Sequence, residues 1–239
     1  MWKPARRRRG RVAFALLAAA ISLPATVWAR PEGITGYSGK QGETCTDRCH
    51  SGGTPPMVHF EGPTALEVGA MATFRFVVES GSPQKQPVAG FNVAASGGTL
   101  AVVPGENERV EADELTQISP KEDSTGVNSW DFIWVAPSEP GPQTLYGAGL
   151  SANGNGTNGG DDAATATLVV TVTSPPQPGD ANCDGRLSAA DATAIVLQAA
   201  GGAPGACGLA DASCDGMVDA DDLAALSFRL FEGTSTPCT

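Results

Sequence analysis

Beyond residue 29 this 239-residue chain has no apolar run long enough to cross a bilayer. Aromatics (6%) and charged residues (17%) are both scarce, while 30 Gly and 18 Pro are not. That balance argues against a coiled coil or a helix bundle and favours turn-rich β structure. The 41% hydrophobic content is enough for a core, which argues against wholesale disorder. Histidine is limited to His50 and His59, and no G-x-S-x-G motif marks a nucleophile. No motif singles out the two positioned carboxylates that a glycosidase needs. Basic residues are few as well. Six of the 15 (Lys3, Arg6, Arg7, Arg8, Arg9, Arg11) precede residue 12, and the remaining 9 face 26 acids, a net charge of −17. Such a surface repels phosphate backbones, so nucleic acid is not the expected partner. It suits cations.

The six early basic residues form the n-region of a signal peptide. Val12 to Leu23 supplies its apolar h-region and Val27-Trp28-Ala29 its cleavage site, placing the cut after Ala29. The expected product is secreted or held at the cell surface, with no transmembrane helix in the mature chain. Six cysteines agree with an oxidising compartment. Cys45 and Cys49 lie early, Cys183, Cys207, Cys214 and Cys238 late, and none lies between the groups. Two modules are the simplest explanation.

Residues 55–173 read as short strands split by Gly, Pro, Asn and Ser clusters. Phe74, Phe76 and Val78 alternate along Met71 to Ser80, and Phe91 and Val93 continue the pattern. Trp130, Phe132 and Trp134 share one strand face, because side chains alternate with period two; they are expected in the core. Gln143 to Ala148 and Thr165 to Val172 supply later strands. About seven to nine strands imply a mainly β fold, an antiparallel sandwich of immunoglobulin-like size. The acidic stretch Glu106 to Glu114 and the Asn/Gly/Asp stretch Ser151 to Asp162 read as solvated connections. The second could hold a cation through Asp161 and Asp162. Three prolines within residues 174–179 mark a semi-rigid linker.

Past that linker the chain repeats itself. Asp180 to Asp191 recurs, offset by 31 residues, as Asp211 to Asp222. Each copy matches a twelve-residue calcium loop. A hard cation takes oxygen ligands, here Asp180, Asn182, Asp184, the Arg186 carbonyl, Ser188 and Asp191. The second set is Asp211, Ser213, Asp215, the Met217 carbonyl, Asp219 and Asp222. Gly185 and Gly216 allow the sharp turn, and four carboxylates against three predict tighter binding in the second loop. Each loop leads into a helix, with Ile195 and Ala199 matching Leu226 and Leu230 on one face.

This loop-helix pair, lacking the entering helix of a full EF-hand, resembles a type I dockerin (domain bounds 180–239). The resemblance implies a small α module with two calcium sites that binds a cohesin-like protein and docks secreted, often polysaccharide-degrading, proteins onto scaffolds or surfaces. Loop positions 10 and 11 are Ala189-Ala190 and Ala220-Asp221, where many cellulosomal dockerins carry hydroxyl residues.

In residues 30–54, Gly33 to Cys45 followed by Cys49-His50-Ser-Gly-Gly53 looks like the opening of a family of secreted bacterial proteins with a reeler-like sandwich. Phe91-Asn-Val93, Glu114-Leu-Thr116, Pro120-Lys121, Ala136-Pro137 and Tyr146-Gly-Ala-Gly149 match its landmarks. Members often carry the Cys-x-x-Cys-His pattern of haem c attachment and varied C-terminal anchors, a role the dockerin would fill here. This chain has three residues between the cysteines. In the haem reading Cys45 and Cys49 form thioethers, His50 is the proximal ligand, and Met57 or His59 supplies the sixth. In the plainer reading, preferred on the spacing, the two thiols form a disulfide and His50 is exposed.

Three functions stay open. A non-catalytic module in which a calcium-dependent dockerin tethers a binding sandwich comes first. A haem redox protein comes second, and a dockerin-bearing glycoside hydrolase of polysaccharide catabolism third. The late cysteines are expected to pair across the repeats, Cys183 with Cys238 and Cys207 with Cys214. The argument is that a helix ~18 Å long separates each loop from the next cysteine, while a disulfide needs Cα atoms within ~7 Å.

Overall fold

The computed structural model describes residues 30–47, 49–81 and 86–232. The expected signal peptide, residues 1–29, and Cys238 lie outside them. The strands in chain order are β1 (Ser51–Gly52), β2 (Met57–Glu61), β3 (Ala65–Glu67), β4 (Met71–Glu79), β5 (Val88–Ala95) and β6 (Thr99–Val102). There follow β7 (Glu108–Glu111), β8 (Glu114–Gln117), β9 (Lys121–Glu122), β10 (Val127–Val135), β11 (Gly141–Ala152) and β12 (Gly159–Thr173). Two helices close the described chain, α1 (Ala189–Ala199) and α2 (Ala220–Glu232). No helix among the described residues is long and apolar enough to cross a membrane.

The strands form two sheets, as the alternating pattern requires. One has the order β2-β4-β10-β6; the other runs β1-β12-β11-β5-β8-β7, with β3 beside β12 and β9 beside β5. Pairing is antiparallel except where β1 and β3 run parallel to β12. Phe74, Phe76 and Val78 of β4 and Trp130, Phe132 and Trp134 of β10 are all buried, as their period-two spacing predicts. They meet Phe91, Val93, Leu145, Val170 and Val172 from the opposite sheet. Phe91 stacks on Trp130 with ring centroids 4.5 Å apart, and the Trp134 indole N–H donates to the Gly97 carbonyl at 3.0 Å.

β11 can approach the other sheet closely only because it carries Gly147 and Gly149. A Cβ on Gly147 would sit 2.5 Å from Phe76, and one on Gly149 2.6 Å from Val78 and 2.7 Å from Val58. The segment before β1 is folded against this sheet as well. Tyr37 N donates to the Asn92 side chain (2.9 Å), and Gly36 N to the Glu114 carboxylate (2.6 Å).

Two of the expected solvated connections contain buried structure instead. Within the acidic stretch Glu108 opens β7 and is buried, because its Oε1 is satisfied by the Val103 amide at 2.9 Å. In the Asn/Gly/Asp stretch Ser151 and Asp161 are both buried.

In the C-terminal part Ile195 and Leu226 are fully buried against each other's surroundings, with Ala181, Ala210 and Ala212. Ala199 and Leu230, one turn on, are exposed, so the apolar seam between the helices is shorter than the sequence suggests. The disulfide expectation fails: Cys183 is bonded to Cys207, with Cα atoms 5.8 Å apart. Cys214 is disulfide-bonded too. The chain reverses after α1. The seven residues 200–206 can span ~23 Å when extended, more than the helix they retrace, and Cys207 N returns to 3.0 Å from the Cys183 sulfur.

Candidate functional site

The two repeats fold into loops with the same hydrogen bonds. In the first, the Asp180 carboxylate accepts the amides of Asp184 (3.1 Å) and Gly185 (2.9 Å), and Asp184 that of Arg186 (2.9 Å). Asp191 accepts the amides of Asn182 (3.1 Å) and Ser188 (2.7 Å). The second repeats each bond. Asp211 accepts from Asp215 (3.2 Å) and Gly216 (2.8 Å), and Asp215 from Met217 (2.8 Å). Asp222 accepts from Ser213 (2.8 Å) and Asp219 (2.7 Å). The glycine-like backbone falls where the loop rule places it, at Gly185 (φ 80°) and Gly216 (φ 86°), and also at Cys183 (φ 65°) and Cys214 (φ 66°).

The closing residues serve two structures at once. Asp191 bonds to Ser188 while the Ser188 hydroxyl accepts the Ala190 amide (3.1 Å), a capping box that starts α1. Asp222 and Asp219 start α2 in the same way, Asp219 accepting the Asp221 amide at 2.8 Å. Burial pushes the Asp211 carboxyl up, but the amides of Gly216, Cys214 and Asp215 outweigh it and hold the group below the ordinary carboxylate range.

Asp191 and Asp222 are each 0% exposed, and neither has an ion-pair partner among the described residues. Among those residues, no three His, Cys, Asp or Glu side chains converge into a metal-holding group. The donors that the loops offer are acid, amide and hydroxyl oxygens plus a main-chain carbonyl. That chemistry fits a hard cation such as calcium rather than zinc or copper.

The Cys-His motif makes a second, separate site. Cys45 and Cys49 are free thiols, half-buried, so the expected disulfide between them is not formed. Burial, with Cys49 adding to it, pushes the Cys45 thiol up to about 12. His50 is buried rather than exposed. Its Nδ1 lies 3.0 Å from Asp161 Oδ2, a contact across 111 residues of sequence. All three motif residues line one cavity of about 210 Å³, beside Tyr37, Phe91 and Leu150.

Gly53 seats this segment: a Cβ there would meet the Asp161 carbonyl carbon and the Gly160 oxygen, each at 2.7 Å. Met57 and His59 are not brought to the cavity. Both lie on β2 in the other sheet, Met57 exposed to solvent and His59 beside Glu61 at 3.6 Å. Asp161 does not serve the cation site entertained for its loop, because its carboxylate is taken by His50 and by the Asn153 amide (2.9 Å). No local signal pairs it with His50. Two thiols and an imidazole beside an apolar wall are the donor types that a covalently held haem uses.

No protein-family model matches the chain, and no curated protein matches its sequence. Among solved structures, it is similar to a cohesin module from a Clostridium perfringens family 33 glycoside hydrolase. The TM-score is 0.37 and the identity 14%, over 51% of this chain and 99% of that one. The seventh ScaB type I cohesin of Pseudobacteroides cellulosolvens gives a TM-score of 0.31 at 12% identity, over 51% and 94%. A CARDB domain from Pyrococcus furiosus gives 0.29 at 18% identity, over 49% and 93%.

Proposed function

We propose that the chain is an exported, non-catalytic modular protein in which residues 180–239 act as a calcium-dependent dockerin. The dockerin tethers the β-sandwich to a cohesin-like protein or another surface partner. One observation carries this reading. Asp191 and Asp222 are wholly buried carboxylates without a cationic side chain, at the same place in two loops with the same amide bonds. A buried charge is stable when it is paired or coordinates a metal, and a cation at each loop would supply that compensation.

The test is calorimetric titration of the full chain with calcium. Heat of binding and a raised melting temperature are expected. Asp211→Ala with Asp222→Ala should weaken binding more than Asp180→Ala with Asp191→Ala, since the second loop carries one more carboxylate. No heat and an unchanged melting curve would overturn the reading.

A second reading is favoured at the other site, because Cys45, Cys49 and His50 line one cavity and the thiols are unpaired. The two thiols would hold a haem by thioether bonds while His50 Nε2 binds its iron. When bound, the haem supplies one-electron redox chemistry. The chain's own residues hold the imidazole, and Phe91 and Leu150 wall the cavity. Protein made with a c-type haem attachment system should show a Soret band and a mass increase that survives denaturation. Both should be lost in Cys45→Ser with Cys49→Ser. A wild-type protein with neither signal would end this reading.

A further inference from the structure

We infer that Asp161 is a positioning residue of the Cys45/Cys49/His50 cavity: it holds the His50 ring so that Nε2 is the nitrogen offered to the ligand. The ligand's identity rests on the haem reading; the dyad itself rests on geometry. A neutral imidazole carries one N–H and one lone pair. An ionised carboxylate only accepts, so the 3.0 Å contact between Nδ1 and Asp161 Oδ2 places the proton on Nδ1 and the lone pair on Nε2. Nε2 makes no hydrogen bond among the described residues and is absent from their buried unsatisfied atoms, so it is accessible, and His50 lines the cavity together with both thiols.

The carboxylate is itself held from two sides. Its Oδ1 accepts the Asn153 amide (2.9 Å), and the Asp161 carbonyl accepts the Gly53 amide (3.0 Å) just past the motif. Between these points the chain is a series of side-chain turns. Asn153 accepts the Asn155 amide (2.9 Å), Asn155 accepts the Thr157 amide (2.8 Å), and the Asn153 side chain donates to the Gly159 carbonyl (2.9 Å). The Asn158 carbonyl then accepts the Ser51 amide (3.2 Å). The Asn/Gly/Asp stretch is thus a bracket that delivers one carboxylate to one imidazole. Metal-bound imidazoles commonly donate their other N–H to a carboxylate, which fixes the tautomer and strengthens the donor nitrogen.

The test has two arms. Nitrogen-15 NMR of the haem-free full chain reads the tautomers of its two histidines, with His59→Gln assigning the signals. His50 should be protonated at Nδ1 in wild type and in Asp161→Asn, whose amide oxygen still accepts. In Asp161→Ala it should move towards the Nε2–H form. A wild-type His50 already protonated at Nε2, or an Asp161→Ala tautomer unchanged from wild type, overturns the inference even if haem is present. The wild-type measurement decides the matter should Asp161→Ala fail to fold. In the haem-loaded chain, Asp161→Asn should raise the reduction potential, because the negative charge beside His50 is gone; an unchanged potential also counts against Asp161. A wild type without a Soret band ends the haem reading alone and leaves the tautomer arm to judge Asp161.

Discussion

Among the buried acids, Glu108 is left with one oxygen that no described residue satisfies. The residue is 6% exposed, and its Oε2 has no hydrogen-bond partner. Burial pushes its carboxyl up to about 7; the Val103 amide opposes this, Glu106 and Asp131 reinforce it, and Lys121 opposes it. Lys121 is engaged elsewhere, with Glu106 and the Ser129 carbonyl (each 2.5 Å) and over the Trp130 ring at 5.1 Å. The folded protein therefore holds the Glu108 proton more tightly than the unfolded chain does. Its contribution is fully present below pH ~4.5, the ordinary range of the unfolded group, and is lost as pH rises through about 7. Allowing for solvent screening, the loss is about 2 kcal/mol. Glu108→Gln should abolish this decline, so that urea unfolding at pH 8 finds the variant more stable than wild type. A wild type equally stable at pH 5 and pH 8, with the same profile in the variant, would refute the assignment.

At the scale of elements, the contact between β11 and the opposing sheet depends on the absence of side-chain atoms. Gly149→Ala puts a methyl 2.6 Å from Val78 and 2.7 Å from Val58. Overpacking of this kind costs ~1–3 kcal/mol, read as a lower denaturant midpoint at unchanged slope. Gly105→Ala, which has open space but a left-handed φ of 95°, separates steric from backbone effects.

The strands of this core were legible because Phe74, Phe76 and Val78, and then Trp130, Phe132 and Trp134, announce period two. β11 and β12 extend well past their apolar stretches, to Gly141–Ala152 and Gly159–Thr173. Their outer residues are Gly, Ala, Ser, Asn-flanked turns and Asp, which pair through the backbone without any hydropathic alternation. The cation they would hold is a proposal, but the two repeated loops were legible as turns at matching positions, since their spacing is set by local geometry. The Cys183–Cys207 bond was not, because it depends on a chain reversal at Ala200 to Ala206 that Gly and Pro permit but do not specify. The His50–Asp161 contact was not legible either, being made by strand pairing between distant segments.

At the scale of the molecule, the two ends of the described chain carry different chemistry, thiols and an imidazole in one and carboxylate-rich loops in the other. Chelation should separate them. With EGTA, limited proteolysis should cut within residues 180–232 while leaving the sandwich intact, because its core is apolar packing between two sheets. Equal resistance with and without chelator would contradict a calcium-dependent module.

Where the load of a tether would fall follows from the end of the proline-rich junction. Pro178 gives its carbonyl to the Arg229 guanidinium on α2, and Gly179 donates its amide to the Leu209 carbonyl at the start of the second repeat. Tension drawn through the sandwich would thus meet contacts to both repeats at the same point of the chain. Single-molecule stretching should find one unfolding step for the pair of repeats, and Arg229→Ala should split it into two at lower force.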